Sequence, residues 1–218
     1  MIPAAASHMT EPHVNTRKIS AILAELAASA AGERVALRDM VEAFGDRAFG
    51  IVLLTFSLPN AVGLGVIPGL SAVFGLPQIF VAAQMASGLH KLWLPRWLLE
   101  RSVARADFRT MIDRSMPYLL RAERVLKPRL PLLTSYAAER LLGLVFVVLA
   151  VIVSLPIPFG NQPPGIAMAI LALAWIERDG VWVIVGLVVA AIAVAIAAAV
   201  AAAGAAAIYL LVTEVLGV

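Results

Sequence analysis

Long apolar stretches without charge alternate along this chain with shorter charged ones. Residues 48–89 (42 residues), 141–176 (36) and 181–213 (33) contain no acidic or basic side chain, and together they make up 111 of the 218 positions. About 20 mostly apolar residues as helix cross a hydrocarbon core about 30 Å thick, so each block is long enough to enter or span a bilayer. Backbone polar groups in lipid must be satisfied within the chain, and these continuous Leu/Val/Ala runs lack the alternation of a barrel strand. The pattern predicts an all-α polytopic membrane protein.

Within the first two blocks the pattern repeats. Asp46-Arg47-Ala48-Phe49-Gly50 matches Glu139-Arg140-Leu141-Leu142-Gly143: an acid, an arginine, two apolar residues and a glycine. Each is followed by an apolar run ending in Ser-Leu-Pro, at Ser57-Leu58-Pro59 and Ser154-Leu155-Pro156. Each then passes through a Gly/Pro/Asn break to Pro-Gly, at Pro68-Gly69 and Pro164-Gly165, and into a further apolar run. The offset is 93 residues at the arginine and 97 at Ser-Leu-Pro. That slip of four is about one helical turn and keeps the helix face in register.

Proline lacks an N–H and pushes the preceding residue toward extended geometry, so neither run is expected to continue as helix through its break. The expected pieces are 48–58 and 70–87 in the first block, 141–155 and 166–176 in the second. Eleven residues reach only about 17 Å as helix, roughly half a bilayer. Non-helical backbone at that depth survives only where protein buries it or water lines it. Each repeat therefore reads as a broken or re-entrant helical hairpin, in residues 46–88 and 139–180. The linker at 89–138 holds no uncharged span long enough to cross, which favours a parallel over an inverted repeat; an odd number of crossings in the first block would reverse that.

Outside these blocks the period is that of amphipathic helices. Ile19, Ile22, Leu23 and Leu26 form one stripe, closed by Gly32, and the stretch from Glu33 to Phe44 forms another, so that residues 16–45 are expected as cytoplasmic amphipathic helices that lie on the membrane surface or pack on the membrane part. Residues 1–15 read as disordered or as a cloning remnant, with the natural start at Met9. No basic-then-apolar leader opens the chain, so the first uncharged block is expected to serve as targeting signal. In the linker, Trp93 and Trp97 flank Pro95, and Arg101, Arg105 and Arg109 follow at four-residue spacing. A helix carrying that row is expected to lie in the interface, with Trp97 and Phe108 toward lipid and the arginines toward headgroups.

The C-terminal segment, 181–218, differs in kind. Thirteen of the 18 residues from 190 to 207 are alanine, and Ala191, Ala195, Ala199, Ala203 and Ala207 fall on one face. Such small-residue rows permit close helix approach, and so a homodimer seam. The 33 uncharged residues span about 50 Å as one helix, which leaves either a protruding helix or a tight helical pair.

Charge orients the picture. From Lys91 to Arg140 lie 11 of the 17 basic residues and five acidic ones, so the linker is expected to be cytoplasmic in a multi-pass membrane protein. The absence of cysteine excludes disulfides and thiolate chemistry, and three scattered histidines argue against a metal centre; no cofactor is expected. Phosphate-binding glycine loops, metalloprotease motifs and nucleophile elbows are also missing, so an enzyme is not expected. No nucleic-acid module accompanies the basic residues.

Candidate chemistry centres on the hairpin tips. Asn60, Asn161 and Gln162 sit there, with Ser57 and Ser154 one turn earlier, and amides supply both donors and acceptors. Two apposed tips would make a small polar ligand site; alternatively these side chains only cap frayed helix ends. Gln84 bonds a neighbouring helix or contacts ligand. Arg47 and Arg140 are surface anchors, or else gate a path or bind an anionic sugar or lipid phosphate. Glu177-Arg178-Asp179 reads as a simple charged loop.

The blocks GDRAFGIVLLTFSLPN, PGLSAVFGLPQIFVAAQMASG, WLPRWLLERSVARADF and LPIPFGNQPPG with ERDG resemble the exopolysaccharide synthesis ExoD family of bacterial inner-membrane proteins, over about residues 16–213. The resemblance implies a role connected with exopolysaccharide production. Two functions follow as expectations: binding or transport of a small solute, ion or lipid-linked precursor at the tips, or a structural or regulatory subunit of the exopolysaccharide assembly proteins. A membrane hydrolase of lipid phosphates is a third, weaker expectation. Membrane lipids are the partners common to all.

Overall fold

The computed structural model describes residues 18, 20–22, 25, 34–63, 70–89, 91–100, 102–155 and 161–216. Arg34–Ala36 (β1) pairs antiparallel with Ser102–Ala104 (β2), Val35 opposite Val103. The helices are Leu37–Phe44 (α1), Ala48–Ala61 (α2), Leu70–Ala86 (α3), Arg96–Leu99 (α4), Arg105–Val125 (α5), Tyr136–Ser154 (α6), Gln162–Ile176 (α7) and Gly180–Leu216 (α8). Apart from that three-residue ribbon, the helical expectation holds. Tyr136–Ser154 and Gly180–Glu214 are long and apolar enough to cross a membrane; Ala48–Ala61, Ser71–Ala86 and Gln162–Ile176 are apolar but shorter.

The core forms where α2 packs against α7 and α3 against α6. Gly50, at the start of α2, faces Ala172, Trp175 and Ile176 at the end of α7, and Asn60 at the end of α2 lies against Gly165 at the start of α7. Gly143, at the start of α6, lies against Met85 and Ala86 at the end of α3, and Ser154 at the end of α6 lies against Gly75. Both crossings are thus antiparallel, and the C-terminal ends of α2 and α6 lie at one end of the bundle with the N-terminal ends of α3 and α7. A Cβ on Gly143 would collide with the backbone nitrogen of Ala86; without a side chain there, the two helices approach closely. Around these crossings Phe49, Leu53, Phe146, Leu149, Met168 and Leu171 are fully buried.

Several expectations are corrected. Pro59 does not stop α2, which continues to Ala61. At that position the missing N–H affects only the last turn, where Ser57 Oγ bonds the Leu54 carbonyl and Thr55 Oγ1 the Ile51 carbonyl. Helix α7 starts at Gln162 rather than at 166, because Pro163 and Pro164 occupy its first turn, where a missing N–H costs no hydrogen bond. The hairpin helices, of 14, 17, 19 and 15 residues, therefore measure about 21, 26, 28 and 22 Å at 1.5 Å per residue, longer than the half-bilayer expected. The Pro-Gly tip at 64–69 and residues 156–160 lie outside the described residues, as does most of the N-terminal stripe.

The amphipathic stretch beginning at Glu33 opens as strand and not as helix. Arg34 holds β2 through Ser102, Nε to Oγ at 2.8 Å and Nη2 to the carbonyl at 2.7 Å, and Asp39 caps α1 by accepting from the Ala36 N–H. This ribbon draws α1 and α5 together, so Phe108 is buried with Val35 and Ile112, flanked by Met40 and Met116; it does not face lipid. The side chain of Trp97 lies outside the described ones. The last block is one continuous helix, the first of its two alternatives. Val183, Ala190, Ala193 and Ala197 on α8 are buried, whereas every residue from 198 to 207 is exposed.

Candidate functional sites at the two ends of the bundle

At the tip end the inner faces are polar. Ser57 and Asn60 on α2, and Ser71 and Gln78 on α3, are buried, as is Asn161 ahead of α7. One helical period explains the first four: 53, 57 and 60 continue the face of Gly50, and 71, 75, 78, 82 and 85 form a single stripe. The serines are satisfied locally, Ser57 by Leu54 O and Ser154 by Ala150 O. The amides are not. Both polar atoms of Asn60 and of Gln78, and Oδ1 of Asn161, are buried with no hydrogen-bond partner. Burying an unpaired amide costs about 1–3 kcal/mol, and such a group in an ordered core calls for an occupant such as water or ligand.

The structure brings Asn60, Asn161 and Gln162 to this end of the bundle. Gln162 Nε2 donates to the Ala61 carbonyl at 3.3 Å, joining the end of α2 to the start of α7, and Asn161 Nδ2 donates to the Leu155 carbonyl at 3.0 Å, linking the end of α6 to α7. Capping thus coexists with buried amide atoms that have no partner. Gln84 is not part of this group: its Oε1 accepts from the Trp93 N–H at 2.8 Å, fixing the start of the linker, where Trp93 also meets the Phe80 ring. Arg101 and the side chain of Arg105 lie outside the described residues, and Arg109 is exposed. Ala191, Ala195, Ala199, Ala203 and Ala207 are all exposed on α8.

The opposite end, the base, carries the charge. Arg47 and Glu139 are buried there, while Arg140 is exposed, its guanidinium lying over Gly88. Arg47 is therefore no snorkelling anchor. Burial raises the Glu177 carboxyl above its ordinary value of 4.5, the nearby Glu123 adds to the rise, and Arg47 and Lys18 oppose it. Glu123 in turn accepts from the Ser20 N–H and hydroxyl, both at 2.9 Å, docking the N-terminal segment onto α5.

Asp179, expected in a plain loop, organises the base. It is fully buried and accepts from the Lys127 N–H at 2.8 Å, Arg129 Nη2 at 2.9 Å and the Val181 N–H at 3.0 Å, so one carboxylate caps α8 and clasps the linker. Burial alone would raise its pKa; the hydrogen bonds from Lys127, Arg129, Trp182 and Val181 outweigh it and hold the group below its ordinary 3.8. Among the described residues no three His, Asp or Glu side chains gather in a metal-binding group.

Sequence reasoning missed Gln78, Ser71, Glu123 and the role of Asp179. For Gln78 a signal existed: it sits three residues after Gly75, on the stripe that places Gly75 against α6.

Comparison with known proteins follows the same blocks. Residues 19–199 match the model of the family described as exopolysaccharide synthesis, ExoD. The chain is 31% identical to "Protein ExoD" of Rhizobium meliloti (strain 1021) over 172 residues, covering 77% of this chain and 70% of that protein. It is 30% identical to an uncharacterised protein of Synechocystis over 151 residues, 69% of this chain and 71% of the other. No solved structure matches.

Proposed function

The chain belongs to the exopolysaccharide synthesis ExoD family, and from that premise we propose that it is a multi-pass inner-membrane protein that binds or moves a small solute, ion or lipid-linked precursor at its two apposed hairpin tips, without catalysing a reaction. The observation that carries this is the pair of buried, unpartnered amides of Asn60 and Asn161 beside the Gln162–Ala61 contact, with the likewise unpartnered Gln78 midway along α3. Uncharged amides bind hydroxyl-bearing groups, water or a partly dehydrated ion without needing a countercharge. The apolar length of α6 and α8 supports insertion, and the shorter α2 and α7 support a hairpin that turns within the lipid.

A site kept polar for a ligand has a signature that a structural cap lacks. Removing an orphan amide relieves its desolvation cost, so Asn60→Leu and Gln78→Met should leave the melting point unchanged or raise it, by up to about 2 kcal/mol in stability. The same substitutions should lower exopolysaccharide output of a complemented deletion strain at least tenfold at equal membrane abundance. Full output from both variants would exclude the tip site.

A second reading, a structural or regulatory subunit, is favoured by one observation: residues 198–207 of α8 are exposed all round. Alanine-to-leucine changes at 199 and 203 that abolish co-purification with exopolysaccharide assembly proteins, while leaving the tips' phenotype intact, would support it.

A further inference from the structure

Two adjoining cavities open at the base of the bundle, far from the tip amides. One, of about 420 Å³, is lined by Pro128, Arg129, Pro131, Thr134, Ser135, Tyr136, Glu139, Trp175 and Arg178. The other, of about 560 Å³, is lined by Gly88, Tyr136, Ala137, Glu139, Arg140 and Leu141. Tyr136 and Glu139 belong to both, so the two form one cleft, in the size range of small-molecule sites.

Its chemistry is uneven in a useful way. Arg129, Arg140 and Arg178 line it against one carboxylate, Glu139. Of the two acids that flank Arg178 in the chain, neither lines the cleft: Asp179 is buried with its charge already held by Arg129 and backbone N–H groups, and Glu177 is half-buried near Arg47. A guanidinium carries five N–H donors in a planar fork that matches phosphate two bonds at a time, so a contact already made does not exhaust it. Trp175 and Tyr136 add flat apolar walls of the kind that pack on a ring or an alkyl stem. The hydroxyl hydrogens of Thr134 and Ser135 are committed to Pro131 O and Leu132 O, and the arginines are the charged donors of the lining. Arg178 is held at φ 54° because it ends α7 in a Schellman cap, its N–H donating to the Trp175 carbonyl and that of Asp179 to the Ala174 carbonyl, which fixes the backbone that presents its side chain.

We propose that this base cleft binds a phosphate-bearing ligand, with Arg140 and Arg178 on the phosphate and Trp175 and Tyr136 along the group it is attached to. The proposal uses no tip residue and goes beyond the tip reading, so either can fail while the other stands. The same phosphate chemistry is offered by a soluble sugar phosphate and by the headgroup of an anionic lipid.

The test uses the full chain, purified in neutral detergent and in lipid nanodiscs, beside an Arg140→Gln/Arg178→Gln double variant and an Arg178→Lys variant. Isothermal titration with glucose 1-phosphate should give saturable binding that inorganic phosphate competes away and that glucose does not reproduce. The double variant should bind at least tenfold more weakly and the lysine variant by an intermediate amount. That outcome assigns a soluble ligand. If glucose 1-phosphate gives no heat but phosphatidylglycerol in the nanodiscs raises the unfolding temperature above that in phosphatidylcholine alone, and the double variant loses the increment, the phosphate belongs to a lipid. Equal elution volume and circular dichroism of wild type and variants guard against misfolding. A wild type indifferent to every probe, or folded variants that respond as wild type does, would overturn the proposal.

Discussion

Asp179 and Glu177 lie two residues apart and titrate in opposite senses. The fold favours ionised Asp179, so its contribution to stability is present above pH 3.8 and is lost as pH falls below that value. Asp179→Asn should remove this acid-side decline and lower stability at neutral pH by about 2 kcal/mol, the scale of charge-assisted bonds lost from a buried group. The fold favours protonated Glu177, so its contribution is present below pH 4.5 and is lost as pH rises above that value. Glu177→Gln should flatten the fall in melting temperature on going from pH 4.5 to neutral; an unchanged pH profile would show that Glu177 is solvated. Neither behaviour was legible in the sequence, where ERDG reads as a surface loop. The burial of Asp179 depends on Lys127 and Arg129, about fifty positions away, and no local pattern announces that. Arg47 and Arg140, which the sequence pattern pairs, likewise diverge: one is buried, the other lies exposed over Gly88.

Elements were more legible than residues. Uncharged length and apolar period located α2, α3, α6, α7 and α8, because burial or lipid exposure over many residues leaves a mark on every turn. Their ends were less so. Proline was read as a stop at 59, but a proline in a last turn removes a single bond, and Pro77 and Pro117 sit inside helices outright. The short ribbon was invisible because Arg34–Ala36 owes its strand form to Ser102–Ala104, not to its own period. The repeated glycines, in contrast, proved to mark the helix crossings. Gly143→Leu, driving a side chain into the backbone of Ala86, should destabilise the protein by about 3 kcal/mol. Gly204→Ala meets nothing within 4 Å and should be neutral or stabilising by up to about 1 kcal/mol. Unfolding titrations in mixed micelles compare the two; equal effects would mean that the crossing is not close.

At the scale of the whole molecule, antiparallel crossings α2 on α7 and α3 on α6 put both tips at one end and most of the buried charge at the other. This joining of repeats lay beyond sequence reasoning, since periodicity shows which face is buried but not what covers it. It predicts that Ala61→Cys/Gln162→Cys, introduced into a chain with no native cysteine, is joined by a short thiol cross-linker within one molecule, whereas pairing Ala61→Cys with Arg140→Cys is not. Cross-linking of both pairs would contradict the arrangement of ends. The proposed tip site requires that the tips lie within the lipid. A spin label at Val62→Cys, an exposed position just beyond α2, measures that depth in reconstituted vesicles by collision with oxygen against a water-soluble nickel chelate, with Arg140→Cys as the base reference. High oxygen and low nickel accessibility at 62, with the reverse at 140, is the predicted result; nickel accessibility at 62 equal to that at 140 would contradict it.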